Sequence, residues 1–175
     1  PEKQAKYVKT IANKVNDMDK LIDELTIYSR LDANRVLYTF VKFDVSEYFD
    51  DCRDEIGTEL DAAGIELNYR NHIKEPVIIA ADPEQLKRVI NNIISNSVKY
   101  MAEGRKGKID IDLYDESDYV HIIIADNGKG IAGKDVSHIF ERFYRTDESR
   151  NSKQGGSGIG LAIVKKIVED HKGKI

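Results

Sequence analysis

Asp126-Asn127-Gly128-Lys129-Gly130-Ile131-Ala132-Gly133 follows directly on the apolar run His121-Ile122-Ile123-Ile124-Ala125. Glycines spaced GxGxxG after a strand are the pattern of a dinucleotide-binding βαβ unit, so the fold class turns on whether that unit is present. Its context excludes it. Polar Asp126-Asn127 close the strand, and the segment beyond Phe143 is a polar loop, Thr146 to Gln154, where such a unit requires its second strand. The strand looks backwards instead. Lys108 to Tyr114 and Tyr119 to Ala125 read as a hairpin joined by the polar turn Asp115-Glu116-Ser117-Asp118.

Upstream, Pro83 sits at the first turn of a helix expected to run to about Met101. Before it, Val77 to Ala80 and Ile65 to Tyr69 read as strands. Asp44 offers a side-chain oxygen to cap a helix from Val45 to about Ala63, with Gly64 stopping it, and Thr39 to Phe43 reads as a strand. Downstream, a long glycine-containing segment leads to a last helix from near Gly158 to about His171. Connections this long are uncommon unless they are lids or binding loops. The order implies an α+β fold: a two-layer α/β sandwich with a mixed, largely antiparallel sheet covered on one face by helices.

From Gln4 to about Asn34, Val8, Ile11, Val15, Met18, Ile22 and Leu25 recur in steps of three and four, with Tyr7, Leu21 and Tyr28 widening the stripe. This is a coiled-coil-like helix of roughly 50 Å at about 1.5 Å per residue. It packs either on its own domain or as a stalk against other helices. Its length favours the stalk, since globular helices average about 11 to 12 residues.

The 175 residues are 41% apolar and 33% charged, enough for one sizeable core plus an appendage. No run approaches the roughly 18 apolar residues of a membrane span, and Pro1-Glu2-Lys3 opens no signal peptide. A cytoplasmic piece without direct membrane contact is expected. Its single Cys52 excludes internal disulfides and CxxC metal knuckles. With 27 basic and 31 acidic residues the net charge is −4, so no nucleic-acid partner is expected.

Two glycine clusters flank the lid: Gly128-Lys129-Gly130-Ile131, and Gly155-Gly156-Ser157-Gly158-Ile159-Gly160. Neither is a P-loop, because Leu161-Ala162 follow where Lys and Ser or Thr are required. The second cluster opens the last helix, whose unpaired N–H groups and dipole suit phosphate; the alternative is a tight loop-to-helix turn. In Leu86 to Tyr100, the stripe Val89, Ile90, Ile93, Ile94 and Val98 is to be buried, and Asn92 and Asn96 project together beside it. These amides either bond neighbouring backbone or serve as hard neutral ligands for Mg²⁺. Lys99 lies on the same side, able to meet phosphate. Asp126 either caps its loop or accepts a hydrogen bond from an exocyclic amine.

Taken together, these segments resemble the nucleotide-binding domain of sensor histidine kinases, in the ATPase group that includes gyrase B, MutL and the heat-shock chaperone ATPases. Leu86 to Tyr100 is similar to the family's asparagine box, Asp126 to Ile131 to its first glycine box, Ile139 to Arg145 to its phenylalanine box and Gly155 to Ile163 to its second glycine box. Tyr7 to Asn34 resembles the second helix of its dimerisation and phosphoacceptor hairpin. The implied division is 1–36 for that helix and 37–175 for the ATP-binding catalytic domain.

The resemblance implies ATP and Mg²⁺ as cofactors. It places Asn96, with Asn92 adjoining, at the metal, and Asp126 at the adenine amine. Gly128, Gly130 and Ile131 would shape the base pocket, and Lys99 and Tyr100 would line its phosphate and base side. Gly156, Ser157, Gly158, Ile159, Gly160 and Leu161 would form the segment that holds the phosphate tail, and Arg145 would neutralise the γ-phosphate. Arg145 and Asn96 are thus the catalytic candidates, while Arg142, Arg150 and Lys153 read as solvated surface. Implied partners are a second copy through the stalk helix and a response-regulator receiver domain; the parent protein is expected to be a homodimer, and its anchoring in the cell membrane is left open. An ATP-driven clamp or a non-enzymatic nucleotide-binding scaffold are the alternatives.

Two departures accompany the likeness. His72, His121, His138 and His171 all lack the context of the family's acceptor histidine, so the piece is expected to bind ATP without phosphorylating itself. It also stops at Gly173-Lys174-Ile175, where the family continues with two strands, which would leave a sheet edge open.

Overall fold

A computed structural model describes residues 2–33, 37–146 and 156–175. Helix α1 spans Glu2–Asp32. Strand β1 (Val41–Asp44) leads without a break into α2 (Val45–Ala62), because the Asp44 carboxylate accepts the Glu47 N–H at 3.1 Å and caps the helix as its sequence position predicts. Then come β2 (Glu66–Asn71), β3 (Ile78–Ala81), α3 (Pro83–Lys99), β4 (Lys108–Glu116) and β5 (Tyr119–Asp126). A single turn, α4 (Gly133–Val136), precedes the last helix, α5 (Gly160–Asp170). The expected polar run Thr146 to Gln154, with Arg150, Lys153 and Gly155, lies outside the described residues apart from Thr146.

The α+β sandwich is as expected, with its strands in two ladders. β1 pairs antiparallel with β3, while β4 is central to the order β2-β4-β5, parallel to β2 and antiparallel to β5. Alternation along β4 sends Ile109, Ile111 and Leu113 to the helices. They meet Val45, Phe49, Cys52, Ile56 and Leu60 of α2 and Ile90 and Ile94 of α3. The stripe expected on α3 is in fact two. Val89, with Ile93 beside it, turns away from the sheet and joins Ile159, Ile163, Val164 and Ile167 in a second cluster, closed by Leu31 of α1. One helix therefore seats both cores, and its site-bearing end is held between them.

Along α1, Tyr7, Val8, Ile11, Val15, Met18, Leu21, Ile22 and Leu25 are 42–66% exposed, whereas Leu31 is 1% exposed. The helix thus docks by its last turns only, and its long apolar seam is uncovered in the single chain. Past it, the Tyr38 hydroxyl donates to Asp170 Oδ2 (2.7 Å) and Thr39 N–H to Asp82 Oδ2 (2.8 Å). His171 ends α5 with Nδ1 2.8 Å from the Ile167 carbonyl, while Nε2 accepts the Asp82 N–H at 3.0 Å. These two bonds select the neutral Nδ1–H tautomer, so the ring serves as a hydrogen-bonding post between α5 and α3 rather than as a cation on the helix dipole.

The sheet's other face is polar. Arg70 forks onto Asp112 with both bonds at 2.6 Å and reaches Asp110 at 3.1 Å, and His72 Nε2 meets Asp112 at 3.0 Å. The Arg70 guanidinium, followed by the His72 ring, holds the Asp112 carboxyl down at about 2. A carboxyl depressed in the folded state contributes stability that is present above its ordinary value of 3.8 and is lost as pH falls through about 2. Arg70→Ala is expected to return the Asp112 titration, followed by carboxyl NMR, towards the ordinary range and to remove that acid-side loss. An unshifted titration would contradict the assignment.

Candidate functional site

The second half of α3, the end of β5 and the first turn of α5 converge on one side of the molecule. α3 starts where Asp82 accepts the Gln85 N–H (3.1 Å) with Pro83 in the first turn, and its phase is then set by the two cores. Asn92 and Asn96 emerge one turn apart, both part-exposed. Asn92 faces the start of α5: a β-carbon added to Gly160 would lie 3.5 Å from Asn92 Oδ1. One turn beyond Asn96, the Lys99 ammonium stands 5.1 Å from the Tyr100 ring centroid and so close to Gly156 that a side chain there would collide with it. The second glycine cluster is thus laid against the asparagine helix.

Asp126 closes β5 with both carboxylate oxygens engaged. Oδ2 accepts the Ser97 hydroxyl at 3.0 Å and Oδ1 accepts the Gly128 N–H at 2.8 Å. The loop is then fixed to α3, the Tyr100 carbonyl accepting the Lys129 N–H at 3.0 Å. Asn127 sews the same loop to β4, its amide accepting the Lys108 N–H (2.8 Å) and donating to the Lys106 carbonyl (2.9 Å). Arg105 donates to the carbonyls of Asn127 and Gly128. Gly130 and Ile131 lie on the open side, Ile131 being 51% exposed.

The lid's described ends are tied together. Phe143 N–H donates to the Gly158 carbonyl (2.9 Å), and the Tyr144 hydroxyl donates to the buried Asp135 at 2.6 Å. Half-buried Arg145 follows directly. Arg142, expected as solvated surface, lies over the Tyr28 ring at 4.7 Å and so joins the lid to α1. Gly158 has φ 71°, and a β-carbon there would meet the Tyr144 carbonyl oxygen at 2.8 Å and the Phe143 carbonyl carbon at 2.9 Å. Gly158→Ala is therefore expected to cost about 1–3 kcal/mol in urea unfolding, through backbone strain and the broken lid contact; a neutral change would count against this packing.

Of the expected site residues, Asn92 lies against Gly160 and Lys99 against Gly156, Gly128 packs on Asp126 and the Tyr100 carbonyl, and Asn96 is part-exposed on the same helix as Asn92. Ser157 turns inward to accept the Ile159 N–H at 3.0 Å. The Ile159 side chain is buried in the α5 core and Leu161 packs against that core, so both anchor the segment rather than line the open side. Sequence reading passed over Ser97, Arg105 and Asn127. Ser97 had a signal: it continues the sheet-facing register Ile90, Ile94 as a polar residue 5% exposed.

Glycine without side chains against Asn92 and Lys99 leaves backbone N–H groups and an ammonium at one helix start, a donor set suited to phosphate. Two amides beside it fit a hard cation that keeps phosphate oxygens as its other ligands; among the described residues no group of three or more His, Cys, Asp or Glu offers a competing metal site.

The profile of the family described as Histidine kinase-, DNA gyrase B-, and HSP90-like ATPase matches residues 81–175. The chain belongs to this ATPase family. Within the family its relatives are sensor kinases. Sensor histidine kinase WalK of Bacillus subtilis is 34% identical over 97% of this chain and 28% of the relative, and sensor protein VanS of Enterococcus faecium is 33% identical over 99% of this chain and 44% of the relative. The crystal structure of histidine kinase ThkA in complex with response regulator protein TrrA matches with TM-score 0.75 at 25% identity, covering 99% of this chain and 46% of that one. The chain thus spans less than half the length of these relatives, and corresponds to their catalytic ATP-binding domain. Among the described residues, no helix is long and apolar enough to cross a membrane.

Proposed function

We propose that the chain is the ATP-binding catalytic portion of a protein-histidine kinase of a two-component system, 37–175 forming the ATP domain and 1–36 the second helix of the dimerisation stalk. The observation that carries this reading is the placement of Lys99 against Gly156 and of Asn92 against Gly160, with Asp126 tied to the same helix through Ser97. Asp126 accepts the adenine amine, and Gly128, Gly130 and Ile131 border the base. Tyr100 lines the base side. Lys99 and the backbone from Gly156 to Leu161 hold the phosphate tail, with Ile159 and Leu161 anchoring that turn. Asn96, with Asn92, orients Mg²⁺, which when bound neutralises charge on the phosphate oxygens. Arg145 approaches the γ-phosphate from the lid. Phosphoryl transfer asks chiefly for such positioning and charge, with little covalent chemistry from the protein.

The acceptor histidine belongs to a stalk segment outside this sequence, and a response-regulator aspartate then takes the phosphate. The uncovered seam of α1 from Val8 to Leu25 pairs with stalk helices and a second copy of the chain. The domain works in the cytoplasm. The test mixes the chain with γ-labelled ATP and a separate stalk hairpin containing the histidine. Acid-labile, base-stable label on the hairpin is expected; ATP hydrolysis without transfer would replace this reading by that of an ATP-driven clamp.

A further inference from the structure

We infer that Ser97 is a positioning residue that sets base selectivity, by holding the Asp126 carboxylate so that it accepts from an exocyclic amine and not from a ring N–H. The inference rests on the proposed adenine-nucleotide site and deepens it. Ser97 lies on the face of α3 that is turned to the sheet, in register with Ile90 and Ile94 of the core, and is itself 5% exposed. A hydroxyl placed there needs a partner, and its partner is Asp126 Oδ2 at 3.0 Å. The other oxygen, Oδ1, is held by the Gly128 N–H at 2.8 Å.

Two donors, one on each oxygen and from two separate elements, fix the carboxylate about its terminal torsion, which is otherwise broad. The remaining lone pairs then face outward in one direction, since Asp126 itself is exposed on the open side. The loop behind it does not give way, being bonded to the Tyr100 carbonyl and to Arg105. Such a carboxylate is an acceptor at a fixed place. A six-amino purine meets it with an N–H. A six-oxo purine meets it with another acceptor, and its nearest donor, the ring N1–H, is displaced from the amine position. Only a carboxylate free to turn reaches that donor. Removing the Ser97 hydroxyl frees the turn, so selectivity falls more than folding does.

The experiment measures ADP and inosine diphosphate affinities for the full 175-residue chain, for Ser97→Ala, for Ser97→Thr and for Asp126→Ala, with thermal unfolding of each. For Ser97→Ala, ADP binding is expected to weaken about tenfold, the scale of one hydrogen bond to a charged group, while inosine diphosphate binding holds or improves. Ser97→Thr, which keeps the hydroxyl, is expected to retain the preference. Equal weakening of both nucleotides in Ser97→Ala would overturn the inference in favour of a structural role, and so would an unchanged preference. If the parent chain shows no preference for ADP, or Asp126→Ala leaves it intact, the adenine site itself is wrong and the inference goes with it.

Discussion

Gly128→Ala is expected to reduce ADP affinity by about a hundredfold, or about 2.7 kcal/mol, while leaving the protein folded. The reason is contact, not flexibility. An added β-carbon would lie 2.7 Å from the Tyr100 carbonyl oxygen and 2.7 Å from Asp126 Oδ1. Neither neighbour has room to yield. The Tyr100 carbonyl already accepts the Lys129 N–H at 3.0 Å, and the Tyr100 N–H is bonded to the Asn96 carbonyl at 3.0 Å at the end of α3. The loop must therefore move, which breaks the Gly128 bond to Asp126 and turns the proposed base contact aside; hydrogen bonds weaken steeply with such misalignment. Gly133→Ala is the control, because a β-carbon there meets nothing within 4 Å. Calorimetric titration with ADP checks both, and an affinity for Gly128→Ala within threefold of the parent would contradict the close packing of this loop against α3.

The second large effect is expected from Asn96→Ala, measured with and without chelator. Alanine is the better helix former, so α3 is not weakened by the change. The backbone carbonyl that receives the Tyr100 N–H is also retained. What is lost is one part-exposed side-chain amide. ATP affinity in excess Mg²⁺ is expected to fall about a hundredfold, whereas in EDTA the variant and the parent converge, since a metal-directed amide has nothing to hold there. A deficit of equal size in both conditions would assign Asn96 to the phosphates or to packing rather than to the metal.

Much of this was legible in the residues because local chemistry and tertiary packing agree. Asp44 caps the helix its position announces, α3 starts at Pro83 as expected, and β4 and β5 meet in the hairpin expected of two runs around a polar turn. The second glycine cluster and the two asparagines stood out as a pattern, because glycine runs and aligned helical asparagines are uncommon in ordinary elements, and the fold lays that cluster against their helix. What escaped depended on distant partners. The parallel pairing of β2 with β4 leaves no local mark, and α3 was read with one buried stripe because a helical period cannot tell one neighbouring core from two. Arg105 looked like any loop cation; its role exists only because folding brings two carbonyls of the Asp126 loop beneath it. Arg142 is exposed as expected, but its place over the Tyr28 ring escaped for the same reason, Tyr28 being far away in sequence.

The β2–β4 ladder also bears on how the protein is made. Asn68 and the Asp110 it faces are 42 positions apart. At about 5–20 residues per second of synthesis, β2 leaves the ribosome about 2–8 s before its partner exists. Through that interval it is a strand with nothing to lie against, open to neighbouring nascent chains. Glu66 and Arg70, charged residues exposed on that strand, are the kind of guard that keeps such an edge from pairing with the wrong molecule.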